Sequence, residues 1–178
     1  IEQHAKLVKF LKSQKALVIL NHPNWQLIPH YRREELNKTS YFDGIEIFNA
    51  VIQRLEGEPL ATDKWDYLLT QNKKVLGFAS DDAHSREQIG QGWLMVQVKQ
   101  KTAQAILRSL QQGNFYCSSG VIFQTICREK DLIIIETTNG EEIQIVSTGG
   151  RVIQKVKGST VKLSLKNIRT YIKETRKS

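Results

Sequence analysis

The sequence predicts an α/β fold over about its first 120 residues and a small antiparallel β module over residues 121–178. Two observations predict the first part: apolar runs alternate with amphipathic helical stripes, and three of these runs end in polar residues that could bind a ligand. A third observation predicts the second part, because short β-rich runs follow Gly120 and are separated by turn-forming residues.

The first elements follow this alternation. A helical stripe at 7–11 precedes the run ALVIL at 16–20, which is continuously apolar, as in a strand buried on both faces. The run GIEIF at 44–48 predicts a second strand. Asp63 is expected to cap a helix, and the third strand, VLGFA at 75–79, follows that helix.

The alternation continues to about residue 120. WLMVQV at 93–98 predicts a fourth strand, Thr102 a helix N-cap, Gly113 the helix end, and 114–118 a fifth extended piece. Strands separated by helices are typical of a parallel sheet covered by helices, in which ligands bind at the carboxyl ends of the strands.

The predicted β module has six strand-like runs, at 121–126, 132–138, 142–148, 152–156, 161–165 and 170–174. Turn signals separate them, and Asn139-Gly140 is a strong signal for a two-residue hairpin. We expect a small all-β, sandwich-like module.

Composition limits the class of protein. The chain is 40% hydrophobic and 25% charged, as in globular proteins, and its two cysteines form no CxxC pair. No apolar run reaches the roughly 20 residues of a membrane span, and the start is unlike a signal peptide. We expect a soluble, cytoplasmic protein without a membrane partner. Because Ile1 leads directly into a helical pattern, we also expect the chain to be cut from a longer one.

The net charge of +8 raises the possibility of an anionic partner such as nucleic acid. Much of this charge lies between Arg151 and Lys177, but few aromatic residues stand between the basic ones to stack on bases. A solvated basic face is the favoured interpretation, and nucleic-acid binding is possible but not favoured.

Residues at two strand ends could bind metal. Asp82 and His84 would point the same way from an extended segment, and carboxylate and imidazole donors suit zinc, manganese or iron. His22 would be held stiffly, because Pro23 favours an extended backbone before it. The alternatives are that Asp81 and Asp82 cap a turn, that His84 is a surface residue, and that His22 is a packed, hydrogen-bonded histidine.

Other polar residues nearby could support such a site. Arg86 could bind a phosphate, although a surface charge is the commoner role. Glu46 lies in an apolar strand and must find donors or a cation, and an ion pair with Arg54 or Lys74 is favoured over metal binding. Three further residues could orient the ligands without touching the metal: Asn21, Asn49 and Ser80.

Four segments together resemble the PHP (polymerase and histidinol phosphatase) metallo-hydrolase family, most closely its CehA/McbA-like branch. They are L-x-x-x-x-A-L-V-I-L-N-H-P-N-W, F-D-G-I-E-I-F-N-A, G-F-A-S-D-D-A-H-S and L-x-x-G-N-F-Y-C-S-S-G, in that order over about residues 1–120. The resemblance implies the second half of a distorted (β/α)7 barrel, followed by a small β module. It also implies two or three divalent metal ions at the carboxyl ends of the strands and the hydrolysis of phosphate esters.

By motif, the resemblance implies that His22 is the histidine ligand of the third family motif, and that Asp82 and His84 are the ligands of the fourth. The sequence departs from the family in having no H-x-H motif, since its four histidines are His4, His22, His30 and His84. We therefore expect the missing N-terminal half of the barrel to precede Ile1 and to be the partner with which residues 1–120 complete the barrel. The alternative is a non-catalytic scaffold or a module that binds an anionic ligand.

Overall fold

The computed structural model of the chain describes residues 2–25, 31–38 and 42–175. These residues form a mixed α/β structure, and the chain divides into two compact units, Ile1–Ser119 (unit 1) and Gly120–Ser178 (unit 2). None of the described helices is both long and apolar enough to cross a bilayer.

Unit 1 alternates α-helices and strands as far as β3. Its elements are α1 (Glu2–Ser13), β1 (Ile19–Leu20), α2 (Arg33–Lys38), β2 (Gly44–Asn49), α3 (Thr62–Thr70), β3 (Leu76–Ser80), β4 (Trp93–Val96), α4 (Ala103–Gln112) and β5 (Phe115–Ser118). Strands β1, β2 and β3 form a parallel sheet in that order. The first three predicted strands are thus present and parallel, and their carboxyl ends meet at one edge of the sheet.

The core of unit 1 lies between this sheet and the helices. Leu20, Leu36, Ile45, Leu68 and Val75 form one buried cluster, against which Tyr31, Phe42, Ile47, Trp65 and Tyr67 pack. Full burial of a leucine or isoleucine side chain contributes about 1.5–3 kcal/mol. This cluster therefore fixes the sheet on which the strand ends lie.

Strand β1 is shorter than the predicted run at 16–20. The Asp43 carboxylate accepts a hydrogen bond from the Val18 backbone N–H at 2.7 Å, and Lys12 Nζ contacts its other oxygen at 2.6 Å. Because a side chain takes the Val18 N–H, regular pairing begins only at Ile19.

The end of unit 1 departs from a parallel arrangement. Strand β4 pairs antiparallel with β5, with Trp93 opposite Ser118. Gly113 ends α4, as predicted, and its φ of 75° lies in the left-handed region. Gln97 N donates to Asn114 O at 2.9 Å, so the connection through α4 joins β4 and β5 at the same end of the pair. The described residues form no closed barrel, and a half barrel remains a prediction.

The two predicted helix caps of unit 1 differ in outcome. Thr102 caps α4, since its hydroxyl accepts a hydrogen bond from Ala105 N at 3.2 Å. Asp63 is not a cap, because α3 begins at Thr62 and the cap position is Ala61. The Asp63 carboxylate instead accepts a hydrogen bond from Asn24 Nδ2 at 2.9 Å.

Unit 2 contains two antiparallel sheets and a helix. Its elements are β6 (Phe123–Glu129), β7 (Leu132–Thr137), β8 (Glu142–Ser147), β9 (Arg151–Lys157), β10 (Thr160–Ser164) and α5 (Leu165–Thr175). One sheet has the order β10-β7-β6, and the other pairs β8 with β9. Val161 and Leu163 of β10 are buried.

Two predictions for unit 2 are wrong. Asn139-Gly140 joins strands of different sheets, and Asn139 instead accepts from Ile122 N at 3.1 Å and donates to Gly120 O at 2.9 Å. The run at 170–174, predicted as a strand, lies in α5, so the module is not all-β. The Asp131 carboxylate accepts a hydrogen bond from Lys166 N, in the first turn of this helix, at 3.2 Å.

Candidate functional site

The carboxyl ends of β1 and β3 share one pocket. His22 follows β1 by two residues, and Asp82 and His84 follow β3. These three side chains line a cavity of about 370 Å³, together with Trp25, Val51, Ile52, Leu55 and Gln88. The structure therefore brings together the three residues that the sequence indicated as metal ligands.

The backbone of two of these residues differs from the extended form predicted for them. His22 has φ 29° and Asp82 has φ 50°, in a region that non-glycine residues seldom adopt. His22 N donates to Glu46 Oε2 at 2.6 Å, and Asp82 N donates to Ser80 Oγ at 3.0 Å. These two hydrogen bonds stabilise the backbone at His22 and Asp82. Strained residues of this kind concentrate at functional sites.

Asp82 and His84 meet through a turn rather than through strand alternation. The imidazole Nδ1 of His84 lies 2.7 Å from the backbone oxygen of Asp82. Asp82 and His84 therefore do not lie in the extended segment that was predicted, although both side chains line the same pocket.

A buried network on β2 links the two turns. Glu46 is 6% exposed and Asn49 is 1% exposed. Asn49 Nδ2 donates to Glu46 Oε2 at 3.0 Å and to Asp82 Oδ2 at 3.1 Å, and the same Glu46 oxygen accepts the His22 N–H. Glu46 therefore satisfies its carboxylate with these donors, not with the Arg54 or Lys74 ion pair that the sequence favoured.

The sequence gives little sign of this network, because residues three apart in a regular strand point to opposite faces. The pairing of β2 with β3 shifts register between Glu46 and Phe48. Such an irregularity re-aims side chains, and here it lets Glu46 and Asn49 meet.

Asp81 holds the loop that carries His84. Its carboxylate accepts hydrogen bonds from Gly90 N at 2.8 Å, Gln91 N at 2.6 Å and Gly92 N at 2.6 Å. Burial raises the pKa of Asp81, but these three backbone donors together lower it below its usual value. Asp81 thus has the turn-holding role of the alternative interpretation, whereas Asp82 lines the pocket.

Not every predicted residue reaches the pocket. Asn49 and Ser80 both contact Asp82. Asn21 and Arg86 are exposed, and within the described part of the chain neither belongs to the pocket lining. Arg86 begins the short 3-10 turn Arg86–Gln88.

Gln88 and Trp25 line the pocket but were not identified from the sequence. Gln88 Oε1 accepts from His84 N at 2.5 Å and from Ser85 N at 3.1 Å. The spacing Ser-x-x-Gln, a capping-box pattern, could have identified it. The Trp25 ring lies edge-on to His22, with ring centroids 5.2 Å apart. No comparable sequence signal marks Trp25.

The donor types suit a divalent metal, but the number of donors does not complete a site. Imidazole and carboxylate groups bind zinc, manganese and iron. Over the described residues, however, no group of three or more His, Cys, Asp or Glu side chains is placed to hold an ion. His30 lies outside these residues. A metal held at this pocket would therefore need further ligands.

Comparison with known proteins gives one match. Residues 69–115 match the family model PHP_C, described as PHP-associated, and this range includes Asp82 and His84 but not His22. No curated protein and no solved structure matches the chain. The family match supports a relationship between this chain and the PHP family.

Proposed function

We propose that unit 1 carries part of the active site of a metal-dependent phosphoesterase of the PHP family, in its CehA/McbA-like branch. The observation that carries this proposal is that His22, Asp82 and His84 line one pocket at the carboxyl ends of parallel strands. Ligand chemistry in such sheets is located at these ends. The match of residues 69–115 to a PHP-associated model supports the same conclusion.

His22, Asp82 and His84 would hold one or more zinc, manganese or iron ions. A bound ion would supply an activated water and neutralise charge on the phosphate oxygens. Ser80 and Asn49 restrain Asp82 by their hydrogen bonds, and Glu46 restrains the backbone at His22. Although Arg86 does not line the pocket, its guanidinium, on the exposed turn after His84, would help to bind the phosphate of a phosphorylated small molecule.

Further ligands would come from outside the described residues, and the other half of the proposed barrel is their expected source. This requirement follows from the ligand count, because two or three ions need more donors than three side chains provide.

Metal content tests the proposal. The longest polypeptide that contains this sequence is purified without chelators and analysed by inductively coupled plasma mass spectrometry. We expect two or more equivalents of zinc, manganese or iron, and a loss of at least one equivalent in His22→Ala, Asp82→Ala and His84→Ala. Hydrolysis of 4-nitrophenyl phosphate should fall with the metal content.

His4→Ala is the matched control. Its imidazole lies 3.1 Å from the Tyr31 hydroxyl and is not part of the pocket lining of the described residues. This variant should retain both metal and activity. A folded, metal-free wild-type protein would refute the metalloenzyme proposal.

The competing proposal is a non-catalytic scaffold that retains the polar strand ends. The lack of a complete ligand group within the described residues favours it. It predicts no bound metal and no change in stability when a chelator is added, so the same preparation distinguishes the two proposals.

A further inference from the structure

The pocket has an apolar side next to its polar one. We call Trp25, Val51, Ile52 and Leu55 the apolar wall; they face the same cavity as His22, Asp82 and His84. Ile52 is 2% exposed and anchors the wall in the protein, whereas Leu55 is 49% exposed. The wall therefore offers apolar surface to whatever enters the pocket.

Backbone hydrogen bonds hold this wall in place. Val51 and Ile52 belong to the 3-10 turn Val51–Arg54, which directly follows β2 and Ala50. Ala50 N donates to Ser80 O at 3.0 Å, so the turn is attached to the same strand end that carries Asp82. The wall and the polar side of the pocket are thus parts of one framework.

Trp25 is attached to the other strand end. Its backbone N–H donates to His22 O at 3.1 Å, and its backbone bridges to Gly57. The indole contributes a rigid aromatic surface beside the imidazole of His22. A ligand that contacts His22 would therefore also lie beside an aromatic ring.

The size of the pocket limits the ligand. Its volume of about 370 Å³ lies near the lower end of the range for small-molecule sites, about 300–1,000 Å³. This space accommodates a phosphate group together with one aromatic ring. Because Val51, Ile52 and Leu55 offer no side-chain hydrogen-bonding groups, a sugar or glycerol hydroxyl against them would lose its bonds to water.

We propose that the apolar wall binds the alcohol or phenol part of the substrate, so that phosphate monoesters with an aromatic or apolar leaving group are preferred over sugar or glycerol phosphates. This inference rests on the proposed phosphoesterase function. It adds the substrate class, which that function leaves open.

A pair of non-hydrolysable ligands tests the inference without turnover. Phenylphosphonate and methylphosphonate are titrated separately into the protein, with and without Zn²⁺, and followed by ¹H–¹⁵N NMR. We expect phenylphosphonate to bind about tenfold more tightly, with shifts at the apolar wall. Leu55→Ala and Val51→Thr should each reduce this preference by about three- to tenfold. Ile89→Ala should not, because Ile89 is 67% exposed and lies outside the lining.

The outcomes separate the two proposals. Equal affinity for both phosphonates, or an aromatic preference that survives both wall substitutions, would overturn the inference, even if metal-dependent hydrolysis were demonstrated. An aromatic preference that both substitutions reduce would support the inference. If the protein then bound no metal and hydrolysed neither phenyl phosphate nor glycerol 2-phosphate, the phosphoesterase proposal and the substrate class would fail, and only aromatic ligand binding at the apolar wall would stand.

Discussion

Replacing Asn49 with alanine removes two hydrogen bonds from the most buried part of the site. The Asn49 amide donates to Glu46 at 3.0 Å and to Asp82 at 3.1 Å, and the side chain is 1% exposed. Hydrogen bonds to charged groups contribute about 1.5–3 kcal/mol each. After the substitution, Glu46 still accepts the hydrogen bond from His22 N. Because Glu46 is only 6% exposed, bulk water cannot replace the hydrogen bond that Asn49 donated to it.

We therefore expect Asn49→Ala to lower the free energy of unfolding of unit 1 by about 3–5 kcal/mol. Asn49→Asp should be at least as destabilising at neutral pH, because it places a third carboxylate between those of Glu46 and Asp82. The size of both effects depends on the amide bridging the two acidic groups.

Urea unfolding followed by tryptophan fluorescence measures this loss. Trp25, Trp65 and Trp93 all lie within Ile1–Ser119, so the signal reports on unit 1. Asn21→Ala is the control, since that amide is exposed and its loss should change the free energy by no more than about 0.5 kcal/mol. If Asn49→Ala cost no more than Asn21→Ala, the buried amide would not stabilise unit 1 as predicted.

Three further predictions concern the scaffold. The pKa of Asp81 is lower in the folded protein than its value of 3.8 in the unfolded chain. The ionised carboxylate therefore stabilises the fold above pH 3.8, and this contribution is lost as the pH falls through the lower pKa of the folded state. The difference in unfolding free energy between the wild type and Asp81→Asn should therefore be full above about pH 5 and shrink as the pH falls below 3.8, and a constant difference would contradict this. Thr102→Ala should cost about 1 kcal/mol in urea unfolding, and Thr102→Ser much less, because serine keeps the cap; equal losses would argue against capping. Burial raises the pKa of Cys117 to about 11, so its alkylation by iodoacetamide, followed by mass spectrometry, should be slow at about pH 8 and rise about tenfold per pH unit towards pH 10; a rate independent of pH would contradict this.

The parallel strands were predictable because their signal is strong. A strand covered on both faces is a continuous apolar run, as ALVIL and VLGFA are, and GIEIF departs from this pattern only at Glu46. Strands β1, β2 and β3 lie within or overlap these runs. That the residues after β1 and β3 share a pocket follows from the same rule, because the carboxyl ends of parallel strands lie at one edge.

The geometry at those ends was not predictable from local preferences. Pro23 favours an extended residue before it, yet His22 has φ 29°, because its N–H is held by Glu46 from a neighbouring strand. The register shift in β2 that lets Asn49 reach Glu46 likewise has no signature in the sequence. Contacts between distant residues determine both features.

The errors in unit 2 have a different origin. The run at 170–174 contains residues common in strands, but Leu165, Ile168 and Tyr171 recur at a helical spacing that extends back beyond that run. Asn139-Gly140 suits a tight hairpin, yet β7 pairs with β6 and β10 instead of β8. Short windows identified the turn residues correctly but could not identify which strands become neighbours.

The three hydrogen bonds that Asp81 accepts have a consequence for how this site could diversify. They close residues 81–92 into a ring whose two ends are fastened together beside β3. Substitutions at exposed ring residues that do not line the pocket, such as Ala83 and Ile89, can then be accepted without transmitting strain to the sheet, whereas His84 and Gln88 must be kept. The ring therefore shields the sheet from change in this loop while it carries two residues of the pocket.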